Sequence, residues 1–222
     1  MRTYKIHLIR HGLTKGNLEG LYVGHTDLPL CDQGKAQLLE MKNTLVFPQP
    51  STVFVSPLKR CKETAEILFE NTTAVEIDGL IEYNFGSFEG RGADELHEKE
   101  PLFDRWLAGE ENVAPPFGES NEEFAARVCN TFVKIVDGAL KTKTDDICII
   151  THGGVMMALL SVFGIPEYPA HEWLMPSGCG YTLRVTPMLW MSQRKVEVIK
   201  ELPYPADEPQ SNYYDGWDYY PE

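Results

Sequence analysis

An arginine and a histidine stand side by side where an apolar string runs into glycine, at Arg10–His11–Gly12 in LIRHG. Far along the chain the same logic returns as THGG, Thr151–Gly154, after the apolar run ICIIT. Ligands in an open α/β sheet bind beyond the carboxyl ends of the strands, so two imidazoles at such ends can face one crevice. The glycines that follow let backbone amides approach a ligand closely, and helix N-termini after the strands favour negative charge. Arg60 joins them: it falls in the first turn expected after Ser56 and Pro57, and Cα–Cβ bonds lean toward a helix N-terminus. Arg10 reaches the crevice too if the strand has ended there. Two guanidinium forks and a helix end suffice to bind a phosphate's oxygens without metal. A lone histidine on a strand reads instead as a hydrogen-bonded structural residue, and His7 is assigned that way. It is the joint pattern that points to an anion site.

Competing chemistries are poorly served. The chain has no H-E-x-x-H, no G-x-x-x-x-G-K-[ST], no G-x-S-x-G and no G-x-G-x-x-G after a strand. His7 and His11 share a strand face but lie about 13 Å apart, too far for one ion. No metal and no cofactor is expected. The net charge of −13, with no basic run interleaved with aromatics, speaks against nucleic acid or an acidic membrane surface as partner. A small phosphorylated molecule remains open to it where positive groups converge. The five cysteines are odd in number and widely spaced, which fits a reducing compartment. No signal-peptide h-region or membrane-length apolar run appears, so a cytoplasmic protein is expected. A homodimer is compatible with these features.

The elements that must position these residues alternate between strand and helix. Strands are expected at residues 3–9, Thr52–Val55, Ala74–Ile77 and Ile147–Thr151, the last continuous and apolar as a central parallel strand should be. Asp32 is expected to cap a helix reaching Val46, with Ala36, Leu38, Leu39 and Leu45 apolar. Ser56 suits an N-cap and Pro57 the first helical position of a helix whose core stripe is Leu58, Cys61, Ala65 and Leu68. A long helix should start at Ser120, where Ser120 and Glu123 form a capping box, and bury Phe124, Val128, Phe132, Ile135 and Ala139. YTLRV and KVEVIKE are expected as an antiparallel pair near the edge. Residues 83–119 break the alternation and read as a cap inserted over one end of the sheet. From Leu202 the chain is acidic and tyrosine-rich without Lys or Arg, and reads as draped on the surface or partly disordered. One domain over 1–201, with that cap and a tail at 202–222, follows.

RHGLTKGN (Arg10–Asn17), SPLKR (Ser56–Arg60), Glu82 and THGG, in that order, resemble the histidine phosphatase superfamily, over residues 4 to about 165. The resemblance implies the phosphoglycerate mutase-like fold: α/β, three layers α/β/α, a mostly parallel central sheet and an inserted cap. It also implies a covalent, metal-independent mechanism. His11 would be the nucleophile and Glu82 the proton donor to the leaving alkoxide. Arg10, Arg60 and His152 would hold the phosphoryl oxygens, helped by Asn17, with Thr14 and Gly153 in the phosphate-binding set. EYNFGSFEGR, FGES and LYVGHTDLPL resemble the α-ribazole phosphatase and broad-specificity phosphatase branch, which reads F-G-x-x-E-G as at Phe85–Gly90. Cofactor-dependent mutases of the superfamily carry E-R-H-Y-G there; this chain has Tyr83 and Asn84 for the arginine and histidine. A phosphomonoester hydrolase is therefore expected, acting on a small metabolite such as α-ribazole phosphate. The alternatives are a phosphoglycerate mutase and a non-catalytic phosphate-binding member. Gly24 and His25 are candidates for the pocket rim, His25 equally for a plain loop residue. Phe85, Phe88 and Trp106 read as cap core or as contacts to the substrate's organic part.

Overall fold

Alternation of side chains at Tyr4–Arg10 makes the first strand, β1, of a computed structural model that describes residues 3–206. The short helix α1 (Lys15–Leu18) follows, then α2 (Asp32–Thr44), β2 (Leu45–Val46), β3 (Thr52–Val55), α3 (Lys59–Leu68) and β4 (Ala74–Glu76). The insertion holds a 3₁₀ turn at Gly86–Phe88, α4 (Ala93–Lys99) and α5 (Phe103–Leu107). The second half runs α6 (Asn121–Thr142), β5 (Asp146–Thr151), α7 (Gly153–Phe163) and β6 (Gly164–Ile165). It ends in β7 (Gly180–Val185), α8 (Pro187–Gln193), β8 (Val196–Leu202) and β9 (Tyr204–Pro205).

Seven strands form the main sheet in the order β4-β3-β5-β1-β7-β8-β6. β7 pairs antiparallel with both neighbours and every other pairing in this sheet is parallel, so β7 alone runs against the rest. Side chains alternate across the pleat. Ile6, Leu8, Ile147 and Ile149 therefore meet α6, α7 and the buried Trp190 of α8 on one face. Ile9, Val53, Val55, Cys148 and Ile150 meet α2 and α3 on the other. The result is α/β with helices on both sides of a mostly parallel sheet. Phe88, Leu96, Phe103 and Trp106 of the insertion are buried in the α6–α7 core, so Phe88 and Trp106 pack as core while Phe85 stays half-buried.

The long helix starts as expected, with Ser120 and Glu123 satisfying each other's backbone N–H, and all five apolar residues named for its face are buried. Three expectations need correction. α2 stops at Thr44, because Leu45–Val46 pairs with β9 as a strand; its N-cap is Cys31 rather than Asp32, and Leu39 is half exposed. α3 begins at Lys59, not at Pro57. Ser56 is still in the β ladder, its N–H bonded to the Ile150 carbonyl at 3.0 Å, and a helix cannot start while the backbone is extended. Its hydroxyl caps nothing; the Asp27 carboxylate, 32 residues away, accepts the Lys59 N–H at 2.7 Å instead. Finally, folded chain continues past residue 201: Leu202 closes β8 and Tyr204 pairs with Val46. The remainder of the expected tail, from residue 207, lies outside the described residues. Among the described residues no helix is long and apolar enough to cross a membrane.

Candidate active site

Parallel pairing of β1 with β5 sets Arg10 level with Thr151, so the next residue of each strand, His11 and His152, emerge side by side. The ladder runs one step further, the His11 N–H reaching the Thr151 carbonyl at 2.9 Å. The two rings are buried, 5.2 Å apart between centroids and inclined at 64°. Their hydrogen bonds give them opposite tautomers. His11 Nδ1 lies 2.7 Å from the Gly12 carbonyl, which only accepts, so Nδ1 carries the proton and Nε2 keeps a lone pair. His152 Nδ1 accepts the Nε–H of Arg60 at 3.2 Å, so its proton sits on Nε2, 2.8 Å from Ser56 Oγ. Burial first, then the Arg60 guanidinium, push both imidazoles well below their ordinary value; Arg10 adds to this, and the Gly12 carbonyl partly opposes it at His11. Both rings are neutral at pH 7.

Arg60, only 1% exposed, is fixed by three of its five N–H donors: Nε on His152, one terminal nitrogen on the Thr26 carbonyl at 2.9 Å, the other on the Gly24 carbonyl at 2.6 Å. One N–H on each terminal nitrogen is left for a ligand. Thr64 ties this helix to the first histidine, donating to the Arg60 carbonyl at 2.6 Å and accepting the Gly12 N–H at 2.9 Å. Arg10 donates to the Met175 carbonyl at 2.7 Å, yet its Nε is buried with no hydrogen-bond partner. Such an orphan N–H costs about 1–3 kcal/mol, so this side chain is a donor held ready for an acceptor.

The start of α7 gathers the rest. His152 takes Arg60 and Ser56; a Cβ on Gly153 would come within 3.4 Å of Arg10 Nε; and the Gly154 N–H donates to Glu82 at 2.9 Å. Glu82 thus caps α7, and its other oxygen accepts the Tyr83 N–H at 2.9 Å. Burial raises its pKa, against the pull of those two N–H groups and of Arg60 and Arg10. A Cβ on Gly154 would press to 2.4 Å from the same carboxylate, which is why glycine stands there.

The structure therefore brings Arg10, His11, Arg60, Glu82, His152 and Gly153 together. Thr14 and Asn17 form a capping box at α1, in which the Asn17 amide oxygen accepts from Thr14. Gly24 is buried with its carbonyl on Arg60, while His25 is exposed. His7 lies apart, bonded to Thr182 and Asp146 at 3.0 and 3.1 Å. Sequence reasoning missed Thr64, and it misread Ser56, whose string had been noticed but was taken for a cap. Among the described residues no group of three or more His, Cys, Asp or Glu could hold a metal ion. The arrangement offers a nitrogen lone pair, directed N–H donors and a protonatable carboxyl, which together can move a phosphoryl group.

A model of the histidine phosphatase superfamily, branch 1, matches residues 6–196. The chain is 28% identical over 179 residues to the adenosylcobalamin/alpha-ribazole phosphatase of Salmonella typhimurium, covering 79% of this chain and 87% of that protein. It is 32% identical over 164 residues to the uncharacterized phosphatase PhoE of Bacillus subtilis, covering 72% and 78%. The crystal structure of the alpha-ribazole phosphatase from Shigella flexneri superposes with a TM-score of 0.71 at 25% identity, over 88% of this chain and 94% of that one.

Proposed function

The chain belongs to branch 1 of the histidine phosphatase superfamily, and on that premise we propose that it hydrolyses small phosphomonoesters through a phosphohistidine on His11. His11 Nε2 attacks phosphorus, and the P–N bond forms as the bond to the ester oxygen breaks. Glu82 gives its proton to that oxygen, so an alcohol leaves rather than an alkoxide. Water then attacks phosphorus while the Glu82 carboxylate takes its proton; the P–N bond breaks, Nε2 regains its lone pair and phosphate departs. The free N–H groups of Arg10 and Arg60 hold the equatorial oxygens, supplying the positive potential that a metal supplies in other phosphoryl-transfer sites. His152 serves the same end by orienting Arg60, its Nδ1 accepting the guanidinium Nε–H while its Nε2–H donates to Ser56. The Gly153 N–H at the start of α7 and the Asn17 amide nitrogen complete the cradle, with Thr14 holding Asn17.

The observation that carries this reading is the unoccupied Nε2 lone pair of His11 beside unfilled N–H donors of Arg10 and Arg60. Two further points support hydrolysis of an α-ribazole phosphate-like metabolite over the mutase alternative. The relatives named above are phosphatases. Tyr83, where mutases carry arginine, brings no cation: its hydroxyl is taken by the Glu119 carbonyl at 2.7 Å and Trp106 Nε1 at 2.8 Å. The test is to mix enzyme with labelled phosphomonoester, without added metal and with chelator, and quench in base. Wild type should carry acid-labile phosphate and release inorganic phosphate, and His11→Ala should do neither. Equal labelling of the two would overturn the role of His11.

A further inference from the structure

Glu89, in the FGSFEGR stretch of the insertion, spends its hydrogen bonds on backbone N–H groups, gripping the segment that Arg60 holds. Its carboxylate accepts three consecutive amides: Gly24 N–H at 2.9 and 3.1 Å, His25 N–H at 2.8 Å and Thr26 N–H at 3.2 Å. On the opposite side the Gly24 and Thr26 carbonyls receive the two terminal nitrogens of Arg60 at 2.6 and 2.9 Å. The peptide between Gly24 and His25 is thus bonded at both ends, N–H to Glu89 and carbonyl to Arg60. Carboxylate, peptide and guanidinium form one line of charge-assisted hydrogen bonds, each polarising the next. Three converging amides are a ready anion nest, filled here by the protein's own side chain. The strap needs glycine at its first position: a Cβ on Gly24 would lie 1.7 Å from the Tyr83 carbonyl and 2.6 Å from Glu89.

We infer that Glu89 is a positioning residue for Arg60, setting the guanidinium's orientation toward phosphate through the Gly24–Thr26 backbone. The inference rests on the phosphate-binding role proposed for Arg60. It also ties the insertion to the phosphate site, so that the cap's seating is felt by the anion-holding arginine.

The sign of one substitution separates this from plain electrostatics. Glu89→Gln removes a negative charge, and Coulomb attraction alone would then tighten the binding of a phosphate dianion. Positioning demands the reverse, because the Gln amide group turns an N–H toward backbone N–H groups and the strap shifts. Binding of inorganic phosphate to the full chain, followed by calorimetry, should weaken about tenfold in Glu89→Gln, the effect of misaligning a charge-assisted bond. In an Arg60→Lys background, which replaces the planar fork and its two terminal nitrogens by a single ammonium, the same change should weaken it less than about twofold. Unchanged or tighter binding in Glu89→Gln, or equal losses in both backgrounds, overturns the inference. Should Glu89→Gln fail to unfold cooperatively, Glu89→Asp, which withdraws the carboxylate by one methylene, takes its place under the same criteria. Wild type that binds no phosphate would overturn the reading of Arg60 itself. Wild type that binds phosphate but hydrolyses no ester would overturn the proposed activity and leave the Glu89 comparison decisive.

Discussion

His11 and Glu82 are both buried, and burial drives their pKa values in opposite directions because it disfavours whichever form is charged. Neutral imidazole and protonated carboxyl, the pair the proposed reaction needs, therefore coexist between a lowered histidine value and a raised glutamate value. kcat/KM should be bell-shaped with its maximum on the acidic side of neutrality, falling at low pH as His11 protonates and at high pH as Glu82 ionises. Glu82→Gln should abolish the alkaline limb and slow alkyl phosphates far more than p-nitrophenyl phosphate; an equal loss on both substrates would reject the acid. Stability carries a matching signature. The unfolded imidazoles bind protons below about pH 6.5, whereas the folded ones do so only at lower pH, so the unfolded state gains as pH falls through that window. Glu82 works in the reverse sense, its contribution present at low pH and lost as pH rises through its folded value. Urea unfolding at about pH 7.5 and about pH 5.5 should show wild type losing more stability on acidification than His11→Asn, which removes one of the two buried imidazoles.

Helix starts show which local signals survive in the folded chain. Ser120 and Glu123 are three residues apart and make their box without help from elsewhere, so Ser120→Ala should cost about 1 kcal/mol in equilibrium unfolding. Ser56 carries an equally good local signal and does something else, because its hydroxyl meets His152, 96 residues away, before a helix begins. Asp27→Ala should therefore cost about what a cap costs, about 1 kcal/mol, since Asp27 is the side chain on the Lys59 N–H. Ser56→Ala should leave α3 intact and disturb His152 instead, seen as a changed pH profile with unchanged far-UV circular dichroism. If Asp27→Ala were neutral and Ser56→Ala lost helix, the assignment of caps would be wrong. Elements whose ends are set by neighbours in sequence were legible; those set by a partner strand or a distant carboxylate were not.

Across the whole molecule the insertion is not a separate lid, for its aromatics share one core with α6 and α7. Trp106 touches Tyr22, Tyr83, Phe85, Phe88 and Phe103, and its indole N–H bonds Tyr83, the residue after Glu82. Phe132 lies in the same core but packs its ring against Phe163 and Trp190. Trp106→Ala and Phe132→Ala should each cost about 3–5 kcal/mol. Only Trp106→Ala should also lower kcat beyond the loss of folded protein, measured at a temperature where both variants remain folded. Equal specific activities would show that the cap's core does not hold the acid.

The sequence alone determined the extended runs of β1 and β5, the helical period of α6, the box at Ser120, and the placing of His11 and His152 at strand ends. These are properties of short windows, where side-chain period, capping chemistry and glycine act between near neighbours. It also named which residue types would meet, because strand ends of a parallel sheet converge whatever lies between them. Only the tertiary structure decided what each site residue does with its atoms. The opposite tautomers of the two imidazoles, the Ser56–His152 bond and the Glu89 grip on Gly24, 65 residues away, depend on distant groups arriving within a hydrogen bond's length. A hydrogen bond is short and directional, so its partner is chosen by how the chain closes in space, and no local pattern records that choice.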